Sequence, residues 1–360
     1  MLNMLDYIKK QRIVDTKIIN SYMDGFNINY ADNPPKKILV ISTGSSFNSV
    51  LSIKNFAENI CDISIDVREP FQFAEYERVP KDIDLTLAVT LNGTSLSTVR
   101  AIRKVKRDND KPIISVTSDI NSPITKESDY VVDMLCGKEE VRYSTMGVSA
   151  TIVTLIMLLI DMSNLNKEKK NKLIVDLQML VNEIDIVIDD SITFYKTNKS
   201  KLLGLNRSSI IGYGSNLGTV KEAETKFTET VKIPSQGFEL EAYMHGPIFE
   251  LKKNYGIFIV QQDTQEYSYA RGIQLEKFVE KYCDNVFNIK ILSNTPDLKS
   301  SSKNLIIHNN IGREEYTPIL GIIPFQIFAY FITLDKGIDL SKPVFPDFRS
   351  QLGSKIGEKD

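Results

Sequence analysis

Histidine and cysteine are scarce in this chain of 360 residues: His245 and His308 are the two histidines, and Cys61, Cys136 and Cys283 are three widely spaced cysteines. A zinc centre needs several such ligands at short spacing, so no metal site is expected. No CxxC pair or even cysteine framework occurs, and the thiols read as free or buried in a reducing compartment. Charge of one sign is lacking too. The 44 Lys and Arg against 46 Asp and Glu leave a net charge of -2, which gives no general attraction to nucleic acid or an anionic membrane. Any anion must therefore be held locally. The most apolar stretch, residues 150–160, falls short of the roughly 18 residues of a membrane span and reads as a buried helix. Residues 1–15 mix apolar and charged side chains without an apolar block of signal-peptide length. A cytoplasmic protein is expected.

At about 150 residues per domain the length suggests two domains, and 42% hydrophobic with 25% charged residues is ordinary globular usage. Short apolar runs at 37–42, 85–90, 112–117 and 130–134 each end in a polar turn and alternate with helical patterns. Such alternation predicts a parallel sheet covered on both faces. A second set, at 208–215, 255–260, 288–294 and 305–308, repeats the order. Gly214 follows Gly44, and Ser293 follows Ser118, by nearly equal steps of about 170–175 residues, which points to duplication. One large sheet is the alternative. The expected organisation is α/β: a helical segment over 1–34, a first domain over 35–165, a linker helix over 166–200, a second domain over 201–335 and a tail over 336–360.

Ligands of such sheets sit beyond the carboxyl ends of the strands. Those ends carry Thr43, Ser45 and Ser46; Thr90, Asn92 and Ser95; Thr117 and Ser118. Small donors at a strand-to-helix turn, with backbone N–H groups and the helix dipole, hold a phosphate without Lys or Arg. Gly44 and Gly93 would let the backbone approach the anion. A plain helix N-cap explains one such turn, but two at adjacent strand ends favour anion binding. Gly212, Gly214 and Gly218 form GxGxxxG rather than the GxGxxG dinucleotide fingerprint, so no nucleotide cofactor is expected. Lys226 and Glu229 lie on one helix face; alone they would be a surface ion pair. His245, before Gly246-Pro247, sits in a turn, and a structural role is its simplest explanation.

The order Gly-x-Gly, Lys226-x-x-Glu229, Glu241-Ala-Tyr243 and His245-Gly-Pro247 resembles the second half of the double sugar isomerase (SIS) domain proteins. These include the isomerase half of glucosamine-6-phosphate synthase, fructosamine 6-phosphate deglycases and amino-sugar phosphate deaminases. Thr43-Gly-Ser-Ser46, residues 90–95, residues 121–129 and the stretch 137–145 are similar to further family segments. The resemblance implies two tandem SIS domains, each a parallel five-stranded, flavodoxin-like Rossmann-type sheet, and cofactor-free chemistry.

It also implies roles. Ser46, Thr90, Asn92 and Ser95 would hold the 6-phosphate, and Ser45 and Ser144 would contact the sugar. Glu229 would be the base moving a proton between C1 and C2, with Lys226 polarising the site. His245 would assist ring opening and reach the neighbouring subunit's site, implying a homodimer. A tail lysine, Lys355 or alternatively Lys359, would cover the sugar. The first half is expected to cradle the phosphate, because Ser215-Asn216-Leu217 lacks a full hydroxyl set. A carboxylate facing two adjacent carbons suits aldose-ketose chemistry, and a bound phosphate helps position them.

Departures from the synthase pattern shift the expected substrate. Leu91 stands for Gln, Met146 for Lys and Thr228 for the second Lys of Lys-x-Lys-Glu. Some 35 residues precede the first apolar run and none is Cys, so glutaminase activity is not expected. The expectation is a deglycase, deaminase or isomerase of an amino-sugar or glycated-amine 6-phosphate. A plain aldose-ketose isomerase and a non-catalytic sugar-phosphate sensor are the alternatives.

Overall fold

The computed structural model describes residues 3–28, 34–293 and 298–356. The chain forms two compact units: a first from residues 13–140, 146–174 and 341–360, and a second from 1–12, 141–145 and 175–340. In the first unit, β1 (Lys37–Ile41), β2 (Ser64–Arg68), β3 (Leu85–Val89), β4 (Ile113–Thr117) and β5 (Tyr130–Asp133) make one parallel sheet in the order β2-β1-β3-β4-β5. In the second, β6 (Ser208–Gly212), β7 (Ser235–Glu239), β8 (Gly256–Gln262), β9 (Asn285–Leu292) and β10 (Asn304–His308) are ordered β10-β9-β8-β6-β7, also parallel. Counted from each unit's first strand, the two orders are the same, as duplication requires. The strand order reverses between β1 and β3 and again between β6 and β8, and at such switch points the outgoing loops open a crevice.

The central strands β3, β4, β6 and β8 are buried along their whole length, which is why apolar runs marked them. The fifth strand of each sheet left no such mark. Ser-Ile-Asp-Val-Arg in β2 and Ser-Gln-Gly-Phe-Glu in β7 are edge strands with partly exposed residues, and polar side chains there blunt further pairing.

One expectation needs correction. The segment 166–200 is not one linker helix. It holds the helices Lys167–Val181 and Ile184–Leu203, interrupted at Asn182 and Glu183. Residues 150–160 are buried within the helix Met146–Met162, as expected. Among the described residues one other helix, Glu314–Asp335, is long and apolar enough to cross a membrane, with 83% of its apolar window buried within the protein. Phe325 and Phe328 of that helix stack into a cluster with Phe258 of β8 and Phe287 of β9, at centroid separations of 5.1 to 6.4 Å. Its composition reflects a protein core on all sides.

In the first unit Asp15, on the helix Met4–Ser21, is fully buried. Ser149 Oγ donates to its Oδ1 at 3.2 Å, while Oδ2 has no hydrogen-bond partner among the described residues. Burial pushes this carboxyl well above the usual range, and the Ser149 bond only partly opposes it. The unfolded chain therefore ionises Asp15 first, and folding stability drops as pH rises from the ordinary carboxylate range toward the raised value. Asp15→Asn is expected to raise the melting temperature at pH 8 by more than at pH 4. An equal shift at both pH values would contradict the burial account.

Candidate active site

The loop after β1 turns through Gly44, whose φ of +59° favours glycine. A Cβ there would meet nothing within 4 Å, so the space over this turn is open. Gly44 is the N-cap of the helix Ser45–Asn59, and as a glycine it brings no side chain to cap that terminus. Ser45 and Ser46 are half-buried in its first turn, where backbone N–H groups lack intrahelical partners. The arrangement suits an oxyanion.

The loop after β3 is fixed by its neighbours. The Leu91 carbonyl accepts from Ser118 N at 2.9 Å, Ser118 Oγ at 2.7 Å and Thr117 Oγ1 at 3.1 Å. Thr117 and Ser118 thus shape the loop. Gly93, at φ +62°, packs so tightly that a Cβ would overlap the Ser122 hydroxyl. Thr90 is nearly buried and Asn92 exposed. Ser95 is an N-cap as well: its Oγ accepts from Thr98 N at 3.4 Å and from Thr98 Oγ1 at 2.9 Å. Capping uses acceptor capacity, and the Ser95 hydroxyl also lies 3.3 Å from Ser97 Oγ, where either can donate.

The tail lies along this second loop. Leu96 N donates to Ser354 O at 3.0 Å, Ile356 N donates to Thr94 O at 2.9 Å, and Lys355 pairs with Ser95 as an antiparallel bridge. Lys355 is thereby placed beside a candidate phosphate ligand. Lys359 lies outside the described residues.

The equivalent turn of the second unit is filled. Gly214 has φ +58°, matching Gly44, but Glu314 Oε1 and Gln262 Nε2 crowd the place a Cβ would take. Thr264 Oγ1 donates to Glu314 Oε2 at 2.8 Å, and Asn216 Nδ2 donates to Gln262 Oε1 at 2.6 Å and to Thr317 Oγ1 at 2.8 Å. A carboxylate already sits where an anion would approach.

The second unit carries an acid-base cluster instead. The helix Leu217–Lys226 runs into a π-helical turn, Phe227–Val231, which ends at Lys232 in the left-handed region. Phe227 anchors the turn in the core, edge-on to Phe258 at 5.4 Å and to Phe325 at 6.1 Å. Lys226 is fully buried. It donates to Glu229 Oε1 and lies 3.4 Å from Glu222 Oε1. The Glu222 side chain is 2% exposed and that of Glu229 28%, so one carboxylate is internal and the other opens to solvent. This is no surface ion pair. Glu222 escaped the sequence reading, although its place four residues before Lys226 on one helix face was a visible signal.

Residues 141–145 belong to this second unit, which puts Ser144 in the same unit as Glu229. Tyr143 beside it was also missed by the sequence reading. Burial and the Glu229 charge push its phenol up, while Arg142 and Lys226 oppose this. His245 is exposed at the end of the helix Leu240–Met244. The Glu241 carboxyl nearby is lowered chiefly by the Arg271 hydrogen bond and, to a lesser degree, by His245. Among the described residues no cluster of His, Cys, Asp and Glu could hold a metal ion, and all three cysteines are free thiols.

A buried carboxylate deprived of its cation is costly. Lys226→Met is expected to destabilise the fold by about 3–5 kcal/mol, because the internal Glu222 would lose the buried ammonium beside it. Adding Glu222→Gln should recover most of that loss in urea unfolding. An unchanged midpoint for Lys226→Met alone would contradict the buried-pair geometry.

Comparison with known proteins agrees with this architecture. Residues 33–162 match the SIS domain family. The isomerizing glutamine–fructose-6-phosphate aminotransferase of Caldanaerobacter subterraneus subsp. tengcongensis is 21% identical over 351 residues, covering 94% of this chain and 55% of that protein. The chain spans about half the length of the curated relatives it matches. A proposed phosphosugar isomerase from Clostridium difficile 630 superimposes with a TM-score of 0.88 at 27% identity, covering 99% of both chains. A glucosamine-6-phosphate deaminase from Thermotoga maritima shares the fold, with a TM-score of 0.74 at 20% identity over 95% of this chain and 97% of that one. The family match thus covers residues 33–162, and the second unit repeats the same parallel five-stranded topology, so the fold of the chain is that of the phosphosugar isomerase structure it superimposes on.

Proposed function

We propose that this protein is a phosphosugar-processing enzyme that releases an amine or ammonia from an amino-sugar or glycated-amine 6-phosphate. The observation carrying the proposal is the buried Lys226, which holds the partly open Glu229 carboxylate beside an internal Glu222. A carboxylate held this way is set for proton transfer, a contribution typically worth about 10²–10⁴-fold in rate. The similarity to a proposed phosphosugar isomerase over the whole chain supports the substrate class.

In this reading Ser46, Thr90, Asn92 and the Ser95 O–H bind the 6-phosphate, with first-turn N–H groups. Ser45 and Ser144 contact the sugar, and Lys355 covers it. Glu229 takes the proton from the carbon next to the carbonyl, giving an enaminol. The proton returns to the neighbouring carbon, leaving a C=N bond. Water adds to that imine and the C–N bond breaks, giving the sugar phosphate and a free amine. Lys226 orients Glu229 through the hydrogen bond between them. His245 opens the sugar ring, in a homodimer whose subunits share sites. The three thiols fit a reducing, cytoplasmic setting.

Incubation with glucosamine 6-phosphate, fructosamine-type 6-phosphates and fructose 6-phosphate tests the reading. Amine or ammonia release is expected, falling at least about 100-fold in Glu229→Gln while sugar-phosphate affinity stays within a few-fold. Interconversion of unsubstituted sugar phosphates without amine release would instead mark a plain isomerase. Binding without turnover across the panel would mark a sensor and overturn catalysis.

A further inference from the structure

The helix Thr317–Asp335 is apolar along its buried length, and within it Gln326 stands between Phe325 and Ile327 with no exposed surface. An amide placed there is unfavourable unless its hydrogen bonds are met. Gln326 Nε2 donates to the Thr145 carbonyl at 3.1 Å, and Gln326 Oε1 accepts from Gln11 Nε2 at 2.9 Å. Gln11, on the helix Met4–Ser21, is also fully buried and donates from the same nitrogen to Ile8 O at 3.1 Å. Two acceptors on Gln11 Nε2 fix the sense of its amide, which turns Gln326 Oε1 toward it and Gln326 Nε2 toward Thr145. The two amides form a directional relay from one helix to the backbone of residue 145.

Core stability does not explain this pair. Gln11 Oε1 is buried without a hydrogen-bond partner among the described residues, a cost that an apolar pair of similar volume would avoid. The relay does serve the segment it ends on. Residues 141–145 belong to the second unit, whereas the chain before and after them belongs to the first. Such a five-residue excursion needs its own anchor. Thr145 passes the constraint on, since its Oγ1 donates to the Tyr143 carbonyl at 3.0 Å.

We propose that Gln326, backed by Gln11, is a positioning residue that fixes the Tyr143-Ser144 strip of the candidate active site. The catalytic consequence rests on the reaction proposed above; the anchoring does not. Gln326→Met keeps the volume and removes the donor. It is expected to lower kcat about 10–100-fold, as for a misplaced substrate contact, with KM changed less than threefold. Amide hydrogen exchange across residues 141–147 should speed up, and Gln11→Met should shift both readouts the same way by less. Should no substrate turn over in the wild type, the proposed reaction fails while faster exchange at 141–147 still supports the anchor. Wild-type exchange at 141–147 in both Gln326→Met and Gln11→Met would overturn it. So would a KM rise with kcat unchanged. If Gln326→Met does not fold, the exchange of Gln11→Met decides.

Discussion

An ammonium group sealed from water has to be neutralised where it stands. Lys226 is such a group, and it is placed against Glu222 and Glu229 of its own helical stretch. Of the two carboxylates Glu229 is the more open to solvent, and so the one that a ligand could reach. Local backbone geometry follows from that need. The π-helical turn after Lys226 sets Glu229 within reach, Phe227 pins the turn into the aromatic core, and Lys232 takes a left-handed conformation as the turn ends. Widened turns of this kind recur at functional sites because they re-aim a side chain without breaking the helix.

Duplication supplied two copies of one scaffold, and the copies have diverged at the turn after the first strand. Gly44 and Gly214 keep the same left-handed backbone. Over Gly44 the space is open. Over Gly214, Glu314 and Gln262 fill it, tied to Thr264, Asn216 and Thr317. A carboxylate built into the fold in that place repels a phosphate. The open turn with its hydroxyls lies in the first unit, and the buried Lys226 with Glu222 and Glu229 lies in the second.

Much of this was legible from residue order alone. Buried strands advertise themselves as apolar runs, and the polar turns after β1 and β3 marked the strand ends that matter. Edge strands β2 and β7 stayed hidden because their exposed faces carry Ser, Asp, Arg, Gln and Glu, which read as loop. The Lys226–Glu229 spacing was readable, but only burial distinguishes an internal charge cluster from a solvated pair, and burial is a property of the fold. The long apolar helix was obscured by Pro324 and Gln326, polar or helix-breaking types that the packed core accommodates. Gln11, Gln326 and Thr145 become one unit only when residues far apart in the chain are brought together, so no local pattern could reveal them.

The account stands on Glu229 moving a proton between adjacent carbons of a sugar phosphate. Solvent deuterium wash-in tests this most directly, by following glucosamine 6-phosphate and fructose 6-phosphate in D2O by proton NMR. The wild-type protein should exchange a C1 or C2 hydrogen, and Glu229→Gln should bind the sugar phosphate while exchanging none. Exchange by Glu229→Gln at the wild-type rate, or binding by the wild type without any exchange, would contradict it.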